Sequence, residues 1–446
     1  MLHGPLAGKI FAFSLPLVAS GVLQQSFNAV DVAVVGRYAT TQAIAGVGSN
    51  GPIISILVNL FLGIAVGANA VIANCLGAKD DDAVRRSVST VAVVTVVSGL
   101  VLTALGYMLA RPILEAMSAP ADVIDLAEAY LKIYFLGMPF MMVYNFGSAI
   151  MRSVGDTAKP FWSLLIATIC NLALDVTFIS MFRSGVEAVA WATVLSNGIN
   201  AALMVGFLMH EKEPVRLRMT RWRVSRRYLG RMLRVGVPAG LQGMVFSMSN
   251  IFIQSAINGF GSAAVAGSAA ALTFECYCYY IVTAFCAATI AFSGQNYGAG
   301  QYDRCRRTFG ICMLYSVVLC GACNLLIAWR QEACVSIYTT DPEAMRYAFT
   351  RIRTVLVFQS MASSYEIAGA YMRSFGWSVL PMVLTIFGTC VLRLGWVAVF
   401  ARVEDTFRNL LLIYPVSWGI TGVLVLTAAA VVSRRVFRRA PGATAT

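Results

Sequence analysis

Apolar runs recur along the whole chain, at residues 10–36, 51–75, 84–110, 123–150, 160–182, 186–208, 229–257, 267–296, 306–328, 344–371, 378–401 and 408–433. Each is long enough to cross about 30 Å of hydrocarbon as an α-helix. Twelve such runs in 446 residues leave no gap wide enough for a soluble domain. Peptide groups in lipid must also be satisfied within the segment that carries them. The fold class that follows is an all-α integral membrane protein with twelve transmembrane helices. Composition agrees: 58% of residues are hydrophobic and 12% charged, and the mean hydropathy of +0.73 lies outside the range of ordinary soluble domains. The first run is too long for the core of a signal peptide and no clear cleavage site follows it, so it reads as a mature span.

A formal charge of +13 would suit a nucleic-acid partner if the charge were gathered on one face. It is distributed by topology instead. Most Lys and Arg fall in alternate connections: around Lys9, in 76–88, 151–160, 209–234, 297–308 and 373–377, and in the tail "RRVFRR". The excess of basic residues in cytoplasmic loops puts both termini on the cytoplasmic side of the cell (inner) membrane. Anionic lipid headgroups are then the expected partner of these charges, and nucleic acid is not.

The eleven cysteines do not read as a disulfide or metal framework. Cys276, Cys278, Cys286, Cys312, Cys320, Cys323 and Cys390 fall inside apolar runs, where a small residue lets helices approach. Cys320 and Cys323 form a lone C-x-x-C pair with no second pair and no histidine nearby. His3 and His210 are the only histidines and lie at chain or helix ends. With no nucleophile and base pair in any span, the chain reads as a non-enzyme that needs no cofactor.

The chain repeats itself. "NCLGAKDDDAVRR" (74–86) lies over "QNYGAGQYDRCRR" (295–307), and "IMRSVGDTAKP" (150–160) over "YMRSFGWSVLP" (371–381), at one constant offset. Near the start of each half the offset grows by one residue, pairing Pro16 with Pro238 and Asn28 with Asn250. A period that holds six spans, an even number, gives two copies of the same orientation. These are expected as two six-helix lobes related by a pseudo-two-fold axis along the membrane normal, with a cavity between them. The expected divisions are an N-lobe (1–208), a basic cytoplasmic linker (209–228), a C-lobe (229–433) and a basic cytoplasmic tail (434–446).

Polar residues inside the runs are costly and therefore informative. Gln24, Asn28 and Asp31 follow one another at four and three residues and share one helix face, which must look inward. Thr168, Asn171 and Asp175 repeat the pattern in the fifth run. Two inward carboxylates, each with an amide one turn away, form a candidate proton or cation site, including Na+ at Asp31, Asn171 and Asp175. The second half repeats the fold without this chemistry: Ile253 stands opposite Asp31, Leu392 opposite Asn171 and Trp396 opposite Asp175, while Asn250, Gln254 and Asn258 keep an uncharged stripe. It carries isolated charges of its own, Glu275, Glu366 and Arg393. Arg393 could neutralise one of the glutamates, which would make a structural pair. Pro16 lies about 22 Å along the first helix from Asp31, at 1.5 Å per residue, and can serve as a kink or a hinge. The methionine and aromatic stretches "GMPFMMVYNF" and "GMVFSMSNIF" would suit a cavity for apolar cations, although most such residues belong to ordinary core.

The opening "GPLAGKIFAFSLPL", the Pro16 to Asp31 spacing, the loops "LGAKDDDAVRR" and "YGAGQYDRCRR", and the Asn171-x-x-x-Asp175 pair together resemble the multidrug and toxic compound extrusion (MATE) transporters over essentially the whole chain. The resemblance is nearest to the DinF-like branch. It implies export of organic cations and drugs in antiport with H+ or Na+ by alternating access. It also implies that Asp31 is the cation-coupled switch, with Asn171 and Asp175 as its partners, Tyr130 and Thr193 as supporting polar groups and Glu275 as a matching acidic position. The NorM-like branch has an acid in the seventh helix, and residues 229–257 contain none. A second-lobe ion site of that kind is therefore not expected. A monomer is the expected state. The rival readings are a lipid-linked oligosaccharide flippase of the same superfamily, which would present a basic central cavity, and an ion channel, which the duplication argues against.

Overall fold

A spanning segment in lipid has to close its hydrogen bonds internally, and each of the apolar runs is met by helix. The computed structural model describes residues 1–38, 41–116, 124–182, 185–218, 222–399 and 406–438. The side chains of 27–38, 41–53, 116, 179–182, 185 and 186 lie outside the described residues, Asn28 and Asp31 among them. In chain order the helices are α1 (Leu6–Tyr38), α2 (Thr41–Gly77), α3 (Asp81–Ala116), α4 (Ile124–Leu136), α5 (Met138–Val154), α6 (Ala158–Phe182) and α7 (Gly185–Met209), followed by α8 (Arg226–Asn258), α9 (Ser262–Gly298) and α10 (Tyr302–Trp329). Then come the short α11 (Gln331–Val335), α12 (Pro342–Thr354), α13 (Ala362–Ser374), α14 (Val379–Thr385), α15 (Leu392–Val399), the short α16 (Phe407–Leu411) and α17 (Ile413–Arg438). The described residues contain no strand.

Among the described residues nine helices are long and apolar enough to cross a membrane, and α4 with α5, bent by 47°, makes a tenth. The bend has a local cause. Gly137 caps α5 and Pro139 occupies its first turn, where a proline cannot continue the hydrogen bonding of the preceding turn. The runs at 229–257 and 344–371 correspond to α8 and to α12, a 3-10 segment (Leu356–Met361) and α13 in succession. Arg226, Arg227, Arg231 and Arg234 dilute the first of these, and Arg346, Arg351 and Arg353 the second. A π-helical turn, Ile386–Val391, joins α14 to α15.

Packing gathers the chain into two compact units, residues 19–240 and residues 1–18 with 241–446. The divisions fall inside α1 and α8, just past Pro16 and Pro238. In the first unit α2 meets the start of α8 through glycines. A Cβ on Gly236 would lie 2.5 Å from Ile64 Cα, and one on Gly63, Gly67 or Gly240 would also overlap the facing backbone. Spacing small residues one turn apart lets two membrane helices touch main chain to main chain. The methionine-rich stretch forms core here: Met138, Met142 and Met151 pack with Phe135, Phe146 and Met204. The basic linker is tied to α3, with Arg223 N donating to Ser89 Oγ at 2.7 Å and Ser225 N to Thr90 Oγ1 at 3.0 Å.

In the second unit Leu6, Ile10 and Phe13 of α1 pack with Phe285 and Phe292 of α9. The rings of Phe13 and Phe292 meet edge to face at 5.5 Å. Gly267 of α9 abuts the α12 backbone, where a Cβ would overlap Ala344. That close approach holds α9 beside α12, and from it the unit's buried charges follow.

Candidate functional site

In the first unit the site is built on α6 and α7. Asp156 fixes the start of α6, its Oδ1 accepting from Ala158 N at 3.1 Å and Lys159 N at 3.2 Å. Lys159 Nζ bridges Asp156 and Glu211, which ties that end to the end of the chain's sixth span. The helix then shows two faces. Ile169, Leu172 and Val176 are exposed, whereas Ser163, Ala167, Asn171 and Asp175, spaced by four, are buried. Asp175 is fully buried and Asn171 is 1% exposed. With its amide oriented to suit both neighbours, Asn171 donates to Asp175 Oδ2 at 2.8 Å and accepts from Ser196 Oγ and from Thr193 N, both at 3.3 Å.

The structure thus brings Asn171, Asp175 and Thr193 together. Tyr130 of α4 is buried against Ala190, one turn before Thr193 on α7. Thr168 faces its own backbone and donates to Leu164 O at 2.8 Å. Gln24 is exposed. Ser196 was missed in the sequence, although its position one turn after Thr193 on the same helix was a usable signal.

The second unit contains a cavity of about 260 Å³, lined by residues of α8, α9, α12, the 3-10 segment, α13, α15 and α17, including Glu275, Tyr279, Arg351, Gln359, Arg393 and Trp418. Glu275 is not neutralised by Arg393. Arg351 takes that role, with Nε 2.6 Å from Oε1 and Nη2 2.9 Å from Oε2, and its Nη1 donates to Ser268 Oγ at 2.7 Å. The two side chains are 3% and 8% exposed. Gln359 Nε2 donates to Glu275 O at 2.8 Å. A forked, two-point contact of this kind is the strongest ordinary carboxylate pairing. Glu366 accepts from Tyr279 Oη at 3.0 Å. Arg393 is fully buried; its Nε donates to Ser417 Oγ at 3.1 Å, and its guanidinium lies 4.5 Å from the Tyr414 ring, 5.5 Å from Phe246 and 6.0 Å from Trp418. The possible pairing of Arg393 with Glu275 is thereby corrected: Arg351 stands where Glu275 can reach it.

The MatE family model matches residues 16–177 and 238–397. The "Probable multidrug resistance protein YoeA" of Bacillus subtilis (strain 168) is 29% identical over 382 residues, covering 84% of this chain and 82% of its own length. Two crystal structures of MATE, one in a bent and one in a straight conformation, superpose with TM-scores of 0.88 and 0.87 at 20% and 21% identity. Each covers 98% of this chain, and the shares of their own chains are 97% and 98%. At that identity they establish the fold, and the all-α transmembrane architecture of twelve helices in two lobes stands.

Proposed function

The chain belongs to the MatE family of membrane transporters, and from that premise we propose that it is a secondary active exporter that exchanges organic cations and other drugs for inward H+ or Na+. It is a multidrug efflux transporter rather than an enzyme; the coupling ion and the residues that bind it are the proposal. The observation that carries the proposal is the fully buried carboxylate of Asp175, held by the Asn171 amide at 2.8 Å. An ionised carboxylate in that setting is short of the solvation that water would give and gains strongly from a proton or a cation.

The mechanism is competition. In the cytoplasm-facing state, ionised Asp31 and Asp175 attract a cationic drug. In the outward-facing state H+ or Na+ neutralises the same charge and the drug leaves. The membrane potential adds about 2.3 kcal/mol per inward elementary charge per 100 mV. Tyr130, Thr193, Gln24 and Asn28 are the proposed supporting polar groups of the first lobe, Thr193 through its main-chain N–H; in the second lobe Glu366 is the proposed supporting acid, and Glu275 is held in its ion pair with Arg351. Pro16 is the proposed hinge, supported by the division of packing units just past it in α1.

Cytoplasmic termini in an inner membrane follow from the loop charges. An open cavity of about 730 Å³ lined by Arg304, Arg306, Arg434 and Arg438 supports anionic lipid headgroups as partners. The test is drug accumulation in vesicles under separately imposed pH and sodium gradients, comparing the native protein with Asp175→Asn and Asp31→Asn at matched expression. Gradient-driven export is expected to be lost in both variants. Unchanged export in either removes that carboxylate from the mechanism.

A further inference from the structure

We propose that the cavity of the second unit is a binding site for small aromatic carboxylates, with Arg393 as the group that receives the carboxylate. Arg393 is fully buried, and among the described residues neither Nη1 nor Nη2 has a hydrogen-bond partner. The neighbouring charges do not explain it. Glu275 is held at both oxygens by Arg351, and Glu366 takes its hydrogen bond from Tyr279. Of the two guanidinium groups lining the cavity, one is neutralised by an ion pair and the other is not.

The rings around Arg393 hold the guanidinium without satisfying its edge. Tyr414, Phe246 and Trp418 lie within 6.0 Å of its central carbon. Contact with a ring face stabilises the positive charge but provides no acceptor for the planar fork of N–H donors. A buried donor without a partner is costly, and a carboxylate is the acceptor whose geometry matches that fork at two points. The ring-rich walls suit a flat apolar body, and a cavity of about 260 Å³ sits near the lower end of small-molecule pockets, about 300 Å³. One or two fused rings bearing a carboxylate satisfy all three features. The π-helical turn ends at Val391, two residues before Arg393 on the chain, and such turns recur at functional sites.

The inference rests on the exporter reading only for its physiological meaning. Binding to the purified protein needs no gradient, so the two fail separately. The experiment is calorimetric titration of the full-length protein in detergent with three probes of one shape: 2-naphthoate, neutral 2-naphthalenemethanol and cationic 2-naphthylmethylammonium. Charge-assisted hydrogen bonds predict that naphthoate binds saturably and roughly tenfold or more tighter than the neutral probe, with the ammonium weakest. Arg393→Gln is expected to abolish the preference for naphthoate, and Arg393→Lys to keep part of it. If Arg393→Gln does not fold, the order of the three probes on the native protein decides. The proposal is overturned if the native protein binds the ammonium as tightly as naphthoate, if naphthoate does not bind saturably, or if folded Arg393→Gln binds naphthoate unchanged.

Discussion

The two units bury charge in opposite ways. In residues 19–240 the acid Asp175 is received by neutral groups, with the Asn171 amide at 2.8 Å and the hydroxyl of Ser196 and the backbone of Thr193 behind it. In the other unit the acid Glu275 is closed off by a two-point ion pair with Arg351, itself braced by Ser268. In the first arrangement the contact to the acid at Oδ2 is an uncharged amide. The second commits the acid to a neighbouring guanidinium, and removing either partner would leave the other buried without its counter-charge. A duplicated fold therefore does not imply a duplicated site. The repeat carries helices and loops across the two halves, and the ionisable residues were placed in each half separately.

The largest effect that would break this comparison comes from the fixed pair. Arg351→Met removes one partner of a buried ion pair and is expected to cost about 3–5 kcal/mol of stability, read as a lowered thermal unfolding midpoint in detergent. The double variant Glu275→Leu with Arg351→Met should recover most of that loss, since exchanging a buried pair for apolar groups is often neutral or better. A native-like midpoint for Arg351→Met alone would mean that the pair does not hold α9 and α12 together.

A smaller effect sharpens the other side. Asn171→Ala removes the donor to Asp175 Oδ2, and the loss should depend on whether an acid is there to receive it. A double-mutant cycle of Asn171→Ala with Asp175→Asn is expected to give a coupling of about 0.5–3 kcal/mol, the range for residues in direct contact. Additive effects in denaturant unfolding would detach Asn171 from Asp175.

What the sequence made legible follows from local rules. Some span boundaries came within a few residues of the helices because apolar run length is a one-dimensional property: 160–182 against Ala158–Phe182, and 186–208 against Gly185–Met209, whereas the run 51–75 begins ten residues inside Thr41–Gly77. The Asn171 and Asp175 stripe was legible for the same reason, since four residues is one helical turn. Contacts between distant segments were not. Arg351 reads as one of three arginines at the diluted start of a span, and nothing in its neighbours points to Glu275, 76 positions away. The glycine contacts of α2 with α8 are equally hidden, because each glycine pair is unremarkable until the two helices are laid together. The break of the fourth span at Gly137 was visible as Gly and Pro flanking Met138, a signal that apolar run length alone overrides.

The smallest expected effect separates backbone from side chain at the neutral site. Thr193 joins it through its main-chain N–H, 3.3 Å from the Asn171 amide oxygen, while its hydroxyl donates at 3.0 Å to Val189 O in the preceding turn. A hydroxyl bonded to its own helix adds little to stability, so Thr193→Val should change it by less than about 1 kcal/mol and leave gradient-driven export intact. Ser196→Ala should weaken export more, because the Ser196 hydroxyl lies 3.3 Å from Asn171 as well as 2.9 Å from Thr193 O. Vesicle transport by the two variants at matched expression reads the difference. If Thr193→Val abolishes export while Ser196→Ala does not, the threonine hydroxyl must turn away from Val189 during transport, and the site that receives the coupling ion would then differ from the one that stabilises the resting fold.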